Sequence, residues 1–177
     1  KEMAELITDL LESERLASEH AALQRELLAL VPLAQEVMAE VLAHQPELAG
    51  TKPLISLHAD PQLPLIPLDS ARMRMLLRNL LENALRHNVN AQHPIELHLR
   101  AVVQGIELEV RDYGPGVPAD QLQLAEPFFR PDTARTRDQG GVGLGLYLCK
   151  LVAQSHGGTF AVRNATPGLA VTVRIEN

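Results

Sequence analysis

Residues 79–87 read Asn79-Leu-Leu-Glu-Asn-Ala-Leu-Arg-His87, and the prediction of the fold starts from this stretch. It lies within Ser70–Asn88, where apolar residues recur at helical spacing and where Asp69 or Ser70 is suited to cap the first turn. One arc of this predicted helix is apolar: Met73, Leu77, Leu80, Leu81, Ala84 and Leu85. The opposite arc carries Asn79, Asn83, Arg86 and His87, interrupted by Met75 and Leu76.

The two asparagines on this arc suggest a function. Asn79 and Asn83 are four residues apart, so a helix places them on one face. Asparagine is a poor residue for a helix interior, and its amide oxygen is a neutral, hard ligand suited to Mg²⁺. Arg86, one turn further on, could then meet a phosphate. The alternative is a solvated helix face without a ligand.

The segments before this helix alternate between helix and strand patterns. Lys1–Gln24 has the leucine spacing of one amphipathic helix. Leu27–Leu33 is a possible strand, Ala34–His44 a helix and Leu54–Ala59 a strand. The Pro61–Pro67 stretch predicts a stiff connection.

The segments after it are mostly strands. Ile95–Val103 and Ile106–Asp112 alternate and meet near a glycine, which predicts a hairpin. The remaining predicted elements are a helical turn near Ala119–Leu124, a helix over Gly143–His156, and strands over Phe160–Asn164 and Ala170–Ile175. Helices and a mixed, mostly antiparallel sheet predict an α+β fold, a two-layer α/β sandwich preceded by an N-terminal helix.

The composition narrows the class of protein. The 177 residues are 46% hydrophobic and carry a formal net charge of −6, which argues against a nucleic-acid binder. The single cysteine, Cys149, is expected to be buried, which fits a cytoplasmic setting. The longest apolar run, Leu27–Ala34, is too short for a membrane helix. Because the chain opens on Lys1 in helical register, we expect a piece of a longer protein.

Two glycine-containing turns add candidate ligand contacts. Asp112-Tyr-Gly-Pro-Gly116 follows a strand, where a carboxylate could accept a hydrogen bond from an amine such as that of adenine; an ordinary turn is the alternative. Gly140-Gly-Val-Gly-Leu-Gly-Leu146 opens a helix, where backbone N–H groups could bind an anion. Leu146 argues against a dinucleotide-binding fingerprint, and no Gly-Lys-Ser/Thr follows to form a Walker A loop.

A polar loop separates these two turns. Pro127-Phe-Phe-Arg130 contains two of the three phenylalanines of the chain, and the following Pro131–Gln139 is almost free of apolar residues. This composition is typical of a mobile flap anchored by aromatic residues, or else of a plain surface loop.

Taken in order, these four motifs resemble the catalytic ATP-binding domain of two-component sensor histidine kinases. Asn79–His87 is similar to that family's N box, and Asp112–Gly116 to its G1 box. Pro127–Arg130 is similar to the F box, and Gly141–Leu146 to the G2 box. The resemblance covers residues 25–177 and implies a Bergerat-type fold. Residues 1–24 resemble the end of a dimerisation helix.

The resemblance implies roles for individual residues, with ATP and Mg²⁺ as cofactors. Asn83 would ligate Mg²⁺ with Asn79 beside it, and Arg86 and His87 would face the phosphates. Asp112 would bond the adenine amine, with Gly114 and Gly116 allowing the base to approach. The implied ATP contacts after that turn are Phe128, Arg130, Gly141, Gly143, Leu144 and Gly145.

The implied reaction is transfer of the ATP γ-phosphoryl group to a histidine. None of the seven histidines has the family's acceptor context, so the acceptor would lie upstream of Lys1, in a dimerisation domain. Val142 stands where the family often has Thr or Ser. Implied partners are that domain, a second copy of the longer parent protein and a response regulator. The resemblance also implies that the parent protein is anchored in the bacterial inner membrane. It implies no contact of this chain with nucleic acid or with the membrane. The alternatives are an ATP hydrolase of the same superfamily, which has a Glu in place of Asn79, and a non-catalytic nucleotide-binding module.

Overall fold

The chain folds as a layer of helices against one face of a five-stranded sheet, as the sequence predicted. The computed structural model describes residues 2–17, 22–45, 50, 52–88, 92–122 and 145–176. Its helices are α1 (Glu2–Ala17), α2 (Leu30–Ala43), α3 (Ser70–His87) and α4 (Gly145–Ser155). Its strands are β1 (Arg25–Leu28), β2 (Ile55–Ala59), β3 (Ile66–Asp69), β4 (Ile95–Val102), β5 (Gly105–Arg111), β6 (Thr159–Asn164) and β7 (Leu169–Glu176).

The main sheet is mixed and mostly antiparallel, which confirms the predicted class. Its strand order is β2-β4-β5-β7-β6, and only the β2–β4 pair among these is parallel. Strand alternation divides its two faces: Ile95, Leu97 and Leu99 of β4 are fully buried against the helices. The residues between them, such as Glu96 and His98, lie on the opposite face and are partly exposed.

Helix α3 lies between α2 and α4 in the helical layer. Its first turn is capped as predicted, because a carboxylate oxygen of Asp69 accepts a hydrogen bond from the Arg72 N–H at 3.1 Å. Leu76, which interrupts the polar arc, is fully buried, and its carbonyl accepts a 3.6 Å hydrogen bond from the Cys149 thiol of α4. The helix therefore needs apolar residues on two sides, since it is packed between two neighbours.

The predicted strand over Leu27–Leu33 is wrong in its second half. Strand β1 ends at Leu28, and α2 begins at Leu30 rather than at Ala34. Pro32 falls in the first turn of α2, where its missing N–H costs no hydrogen bond. A short apolar run does not by itself distinguish a buried helix turn from a strand.

Two further predictions about the N-terminal half need correction. The stretch predicted as a connection, Pro61–Pro67, overlaps β3, which pairs with β1 in a separate two-stranded antiparallel sheet. A two-stranded ribbon leaves every strand at an edge, which is where a proline such as Pro67 is tolerated. The first helix ends at Ala17 within the described residues, and residues 22–24 are not helical, so it does not extend to Gln24.

A buried histidine ties α4 to the start of α3. His156 is 2% exposed, and its Nε2 accepts a hydrogen bond from the Asp69 N–H at 3.1 Å. The other nitrogen, Nδ1, must then carry the proton that it donates to the Val152 carbonyl at 2.8 Å. Burial lowers the pKa of His156, so the imidazole is neutral near pH 7.

The helix predicted over Gly143–His156 is α4, whose described bounds are Gly145–Ser155. Cys149 is fully buried on it, as predicted, and burial raises the pKa of its thiol. None of the helices in the described parts of the chain has the length and apolar composition needed to cross a membrane.

Candidate functional site

The polar stripe of α3, formed by Asn79, Asn83, Arg86 and His87, runs between two other predicted motifs. At its upstream end, a Cβ added at Gly145 would lie 3.5 Å from Oδ1 of Asn79, so the start of α4 meets the helix there. At its downstream end, Gly114 lies directly against the backbone carbonyl of His87. Asn83 lies on the same face, one turn from each end. The eight residue steps from Asn79 to His87 span about 12 Å of helix, and three motifs distant in sequence converge along this length.

Asn79 is held in one orientation by its own helix. Its Nδ2 donates a 2.9 Å hydrogen bond to the Met75 carbonyl one turn earlier, which leaves Oδ1 directed at the start of α4. This back-bonding explains how an asparagine is accommodated in the helix interior. Asn79 therefore packs between the two helices, while Asn83 is partly buried on the stripe.

Asp112 follows β5 and is 2% exposed. Its Oδ1 accepts two backbone hydrogen bonds, from Gly114 N–H at 3.0 Å and from Leu169 N–H at 3.2 Å. Burial raises the pKa of Asp112, and the two backbone hydrogen bonds act against that rise without cancelling it. Since Oδ1 takes both backbone donors, Oδ2 is the oxygen available to an outside donor.

Both glycines of the turn have a structural reason. A Cβ at Gly114 would overlap the carbonyl oxygen of His87, so only glycine allows the turn to pack on the end of α3. Gly116 has a φ of 67°, in the left-handed region that disfavours side chains. The sequence assigned these glycines to the approach of a base; in the described structure they first shape the turn that carries Asp112.

Two asparagines that the sequence did not single out hold this turn. Asn88, the residue after α3, accepts a 2.7 Å hydrogen bond from the Tyr113 N–H and donates one to the His93 carbonyl at 2.9 Å. Asn164, at the end of β6, accepts from the Val117 N–H at 3.0 Å and donates to its carbonyl at 2.6 Å. The sequence could have indicated Asn88, because this residue directly follows a predicted helix. No sequence feature indicates that Asn164 contacts a turn 47 residues away.

Replacing Asn164 with alanine is expected to lower the free energy of unfolding by about 1–3 kcal/mol, because two hydrogen bonds to Val117 are lost. Urea denaturation measures this loss. The exposed Thr159 begins the same strand, and Thr159→Ala should change the value by less than about 0.5 kcal/mol. Equal losses in the two variants would contradict a specific role of Asn164.

Electrostatics at the downstream end of the stripe set the state of His87. Burial lowers the pKa of His87, and the neighbouring Arg86 lowers it further by repulsion. The imidazole is therefore neutral at pH 7 and able to donate or accept a hydrogen bond, while Arg86 supplies the positive charge.

The other predicted contacts lie outside the described residues. They are Phe128, Arg130, Gly141, Gly143 and Leu144, and the same holds for Val142 and the predicted flap.

Comparison with known proteins identifies the family of this site. Residues 68–177 match the model of the family described as histidine kinase-, DNA gyrase B- and HSP90-like ATPase. The chain is 35% identical over 162 residues to the alginate biosynthesis sensor protein KinB of Pseudomonas aeruginosa, a match that covers 90% of this chain and 26% of that protein. It is also 35% identical over 164 residues to the probable sensor histidine kinase TcrY of Mycobacterium tuberculosis, covering 92% of this chain and 33% of that protein.

The fold is shared with solved structures. Full-length ShkA, crystallised in complex with AMPPNP, superposes with a TM-score of 0.82 at 23% identity, over 98% of this chain and 35% of that one. At this identity the likeness establishes the fold. The chain spans between 26% and 33% of the length of the two sensor proteins named above.

Proposed function

We propose a role in phosphoryl transfer for this chain. The chain belongs to the family of histidine kinase-, DNA gyrase B- and HSP90-like ATPases, and within it to the ATP-binding domains of sensor histidine kinases. In this role it binds ATP with Mg²⁺ and donates the γ-phosphoryl group to a histidine of a dimerisation domain. Residues 25–177 form the catalytic domain, and the helix within residues 1–24, which ends at Ala17, is the end of a dimerisation helix whose acceptor histidine lies upstream. The phosphoryl group then passes to an aspartate of a response regulator.

The observation that carries this proposal is the convergence along α3. The stripe from Asn79 to His87 has the start of α4 at one end and the Asp112 turn at the other. An adenine bound at Asp112 would direct its phosphates along the stripe, past His87, towards the N-terminus of α4. Backbone N–H groups and the partial positive charge at that helix end favour phosphate.

Each side chain then has a role in holding the nucleotide. Oδ2 of Asp112 accepts a hydrogen bond from the adenine amine, because Oδ1 is used by the backbone. Arg86 and His87 face the phosphates. The further nucleotide contacts that we propose are Gly114, Gly116, Phe128, Arg130, Gly141, Gly143, Leu144 and Gly145.

The stripe also fits a magnesium ion bound through the nucleotide. Mg²⁺ keeps several waters and phosphate oxygens and needs few protein ligands, and a neutral amide oxygen such as that of Asn83 is a suitable one. The ion would neutralise charge on the phosphates. Phosphoryl transfer needs little covalent participation by the protein, so Asn83 and Arg86 act by positioning and by electrostatic stabilisation.

Transfer to a histidine is favoured over hydrolysis by the chemistry of Asn79. An amide does not take a proton from water at neutral pH, and its Nδ2 is already bonded to the Met75 carbonyl. Glu82 is one residue before Asn83, and the helix turns it about 100° away from that side chain. The described stripe between Asn79 and His87 therefore presents no carboxylate as a base for water.

The test supplies the acceptor as a separate protein. The chain is incubated with γ-labelled ATP, Mg²⁺ and the parent's own dimerisation domain, and label is counted on that domain after acid and base treatment. We expect base-stable, acid-labile label, the stability of a phosphohistidine, and no label on this chain alone. Steady phosphate release that the acceptor does not reduce would indicate a hydrolase. ATP binding with neither transfer nor release would indicate a nucleotide-binding module.

The proposal extends to the surroundings of the domain. The parent would be a homodimer anchored in the bacterial inner membrane, with this domain in the cytoplasm. We propose no nucleic-acid partner, because the chain carries a net charge of −6 and two arginines of the outer sheet face pair with glutamates, Arg100 with Glu107 at 3.0 Å and Arg163 with Glu109 at 3.2 Å. A phosphate backbone is usually bound by a basic surface.

A further inference from the structure

Two histidines and one glutamate gather on the outer face of the main sheet, away from the helices. One potential ligand atom from each of His58, Glu96 and His98 lies within 4.8 Å of the other two. This is the one such group of three within the parts of the chain that the structure describes. It takes no part in the proposed nucleotide site.

The sheet itself brings these residues together. His58 of β2 and His98 of β4 are direct partners in the parallel pairing, and Glu96 precedes His98 by two residues, which places it on the same face. Glu96 and His98 are in contact, with 2.8 Å between Oε2 and Nε2. The positions are therefore fixed by the register of rigid strands, and only side-chain torsions need adjust to a ligand.

The donor set selects a class of ion. Two imidazoles and a carboxylate suit Zn²⁺ and its transition-metal neighbours, whereas Mg²⁺ and Ca²⁺ prefer oxygen ligands alone. Tetrahedral ligands at about 2.0–2.2 Å from an ion lie about 3.4 Å from one another. The distances between the potential ligand atoms of His58, Glu96 and His98 range from 2.8 Å to at most 4.8 Å, and this range includes that value.

Binding an ion requires two changes in the cluster, because the 2.8 Å hydrogen bond between His98 Nε2 and Glu96 Oε2 must give way and the two rings must turn. The rings of His58 and His98 are stacked, with centroids 4.7 Å apart and planes 14° from parallel, so their in-plane lone pairs do not converge. His58 is exposed and can rotate its ring, at the cost of its 2.9 Å hydrogen bond to Ser56. Ion binding should therefore unstack the two rings.

Glu96 already has the outer-shell support that metal-binding carboxylates usually have. Its Oε1 accepts a 2.6 Å hydrogen bond from the Tyr113 hydroxyl, which leaves Oε2 facing His98.

We propose that His58, Glu96 and His98 form a site for a divalent transition-metal ion of the zinc class, with a fourth position open to water. The site lies on the outer sheet face and is separate from the nucleotide stripe on α3. Its occupancy is independent of the phosphoryl-transfer proposal.

Calorimetric titration of the nucleotide-free protein with ZnCl₂ at pH 7.5 tests the site. We expect one equivalent bound by the wild type, and affinity at least about tenfold weaker in His98→Ala and in Glu96→Gln. His44→Gln is the matched control, because His44 is an exposed histidine at the end of α2 and does not belong to the sheet that carries the cluster. Circular dichroism verifies that each variant is folded.

Substitution with Co²⁺ gives a second readout. Visible absorption bands typical of tetrahedral nitrogen and oxygen ligation should appear in the wild type and in His44→Gln, and disappear in His98→Ala. A tenfold excess of Mg²⁺ should not displace the bound ion. The proposal is overturned if the wild type binds no stoichiometric Zn²⁺, or if the folded His98→Ala and Glu96→Gln variants bind it as tightly as the wild type.

Discussion

Replacing Asp112 with asparagine is expected to weaken ATP binding by about 10–100-fold while leaving the domain folded. The substitution preserves Oδ1, which accepts the Gly114 and Leu169 N–H groups, and replaces Oδ2 with an NH₂ group. In the proposed complex that group would oppose the adenine amine, donor against donor. A buried hydrogen bond to a charged group contributes about 1.5–3 kcal/mol, which corresponds to this loss of affinity.

The stability of Asp112→Asn separates recognition from folding. The pKa of Asp112 is raised because burial disfavours its charged form, so the folded state binds the proton more readily than the unfolded state does. The ionised carboxylate therefore opposes folding at neutral pH, and a neutral amide should leave the free energy of unfolding equal or higher. Asp112→Ala removes Oδ1, the acceptor of both backbone N–H groups, and should be destabilised by about 2–6 kcal/mol, at about 1–3 kcal/mol for each orphaned N–H.

The preference of the protein for ATP over GTP provides the control for the Asp112→Asn measurement. The wild type should bind ATP more tightly than GTP, and Asp112→Asn should lose most of that preference. Calorimetric titrations with both nucleotides measure it. Equal affinities for ATP and GTP in the wild type would refute the assigned contact with the adenine amine.

The elements that sequence patterns predicted well are those in which a single periodicity dominates. Helix α3 has a long apolar arc and a capping aspartate, and both bounds were expected within one residue. The β4–β5 hairpin alternates strictly and turns at Gln104, which has a φ of 58°. Strand β3 was missed because Pro67 argues against a strand, and its place at an edge depends on a partner about 40 residues earlier.

The candidate site shows the same difference between features that a local sequence pattern predicts and features that depend on distant residues. Asp112, Asn79 and Asn83 belong to local motifs, so their neighbours in sequence were enough to single them out. One of the two hydrogen bonds that fix Asp112 comes from Leu169, and two that hold its turn join Val117 to Asn164. Both partners lie more than 45 residues away in sequence. The cluster of His58, Glu96 and His98 likewise depends on strand register, which no local pattern reveals.

Replacing Asn83 with alanine is expected to abolish the Mg²⁺ dependence of ATP affinity and to lower phosphoryl transfer by at least about 100-fold. The physical reason is the loss of the one proposed protein oxygen on the ion, midway between the Asp112 turn and the start of α4. Folding should not suffer, because alanine is more favourable in a helix interior than asparagine by up to about 0.7 kcal/mol. Titrations with ATP, in the presence of Mg²⁺ or of a chelator, measure the first effect, and label transfer to the dimerisation domain measures the second.

Two further variants make the result specific. Asn83→Asp keeps an oxygen at the same position, so it should retain a Mg²⁺-dependent affinity that alanine loses. Gln154→Ala removes an exposed amide from α4 and should behave as the wild type in both measurements. If Asn83→Ala instead keeps the Mg²⁺ dependence of the wild type, Asn83 is not the ligand. In that case the candidate protein ligand is Oδ1 of Asn79, because only Nδ2 of that amide is committed to the Met75 carbonyl.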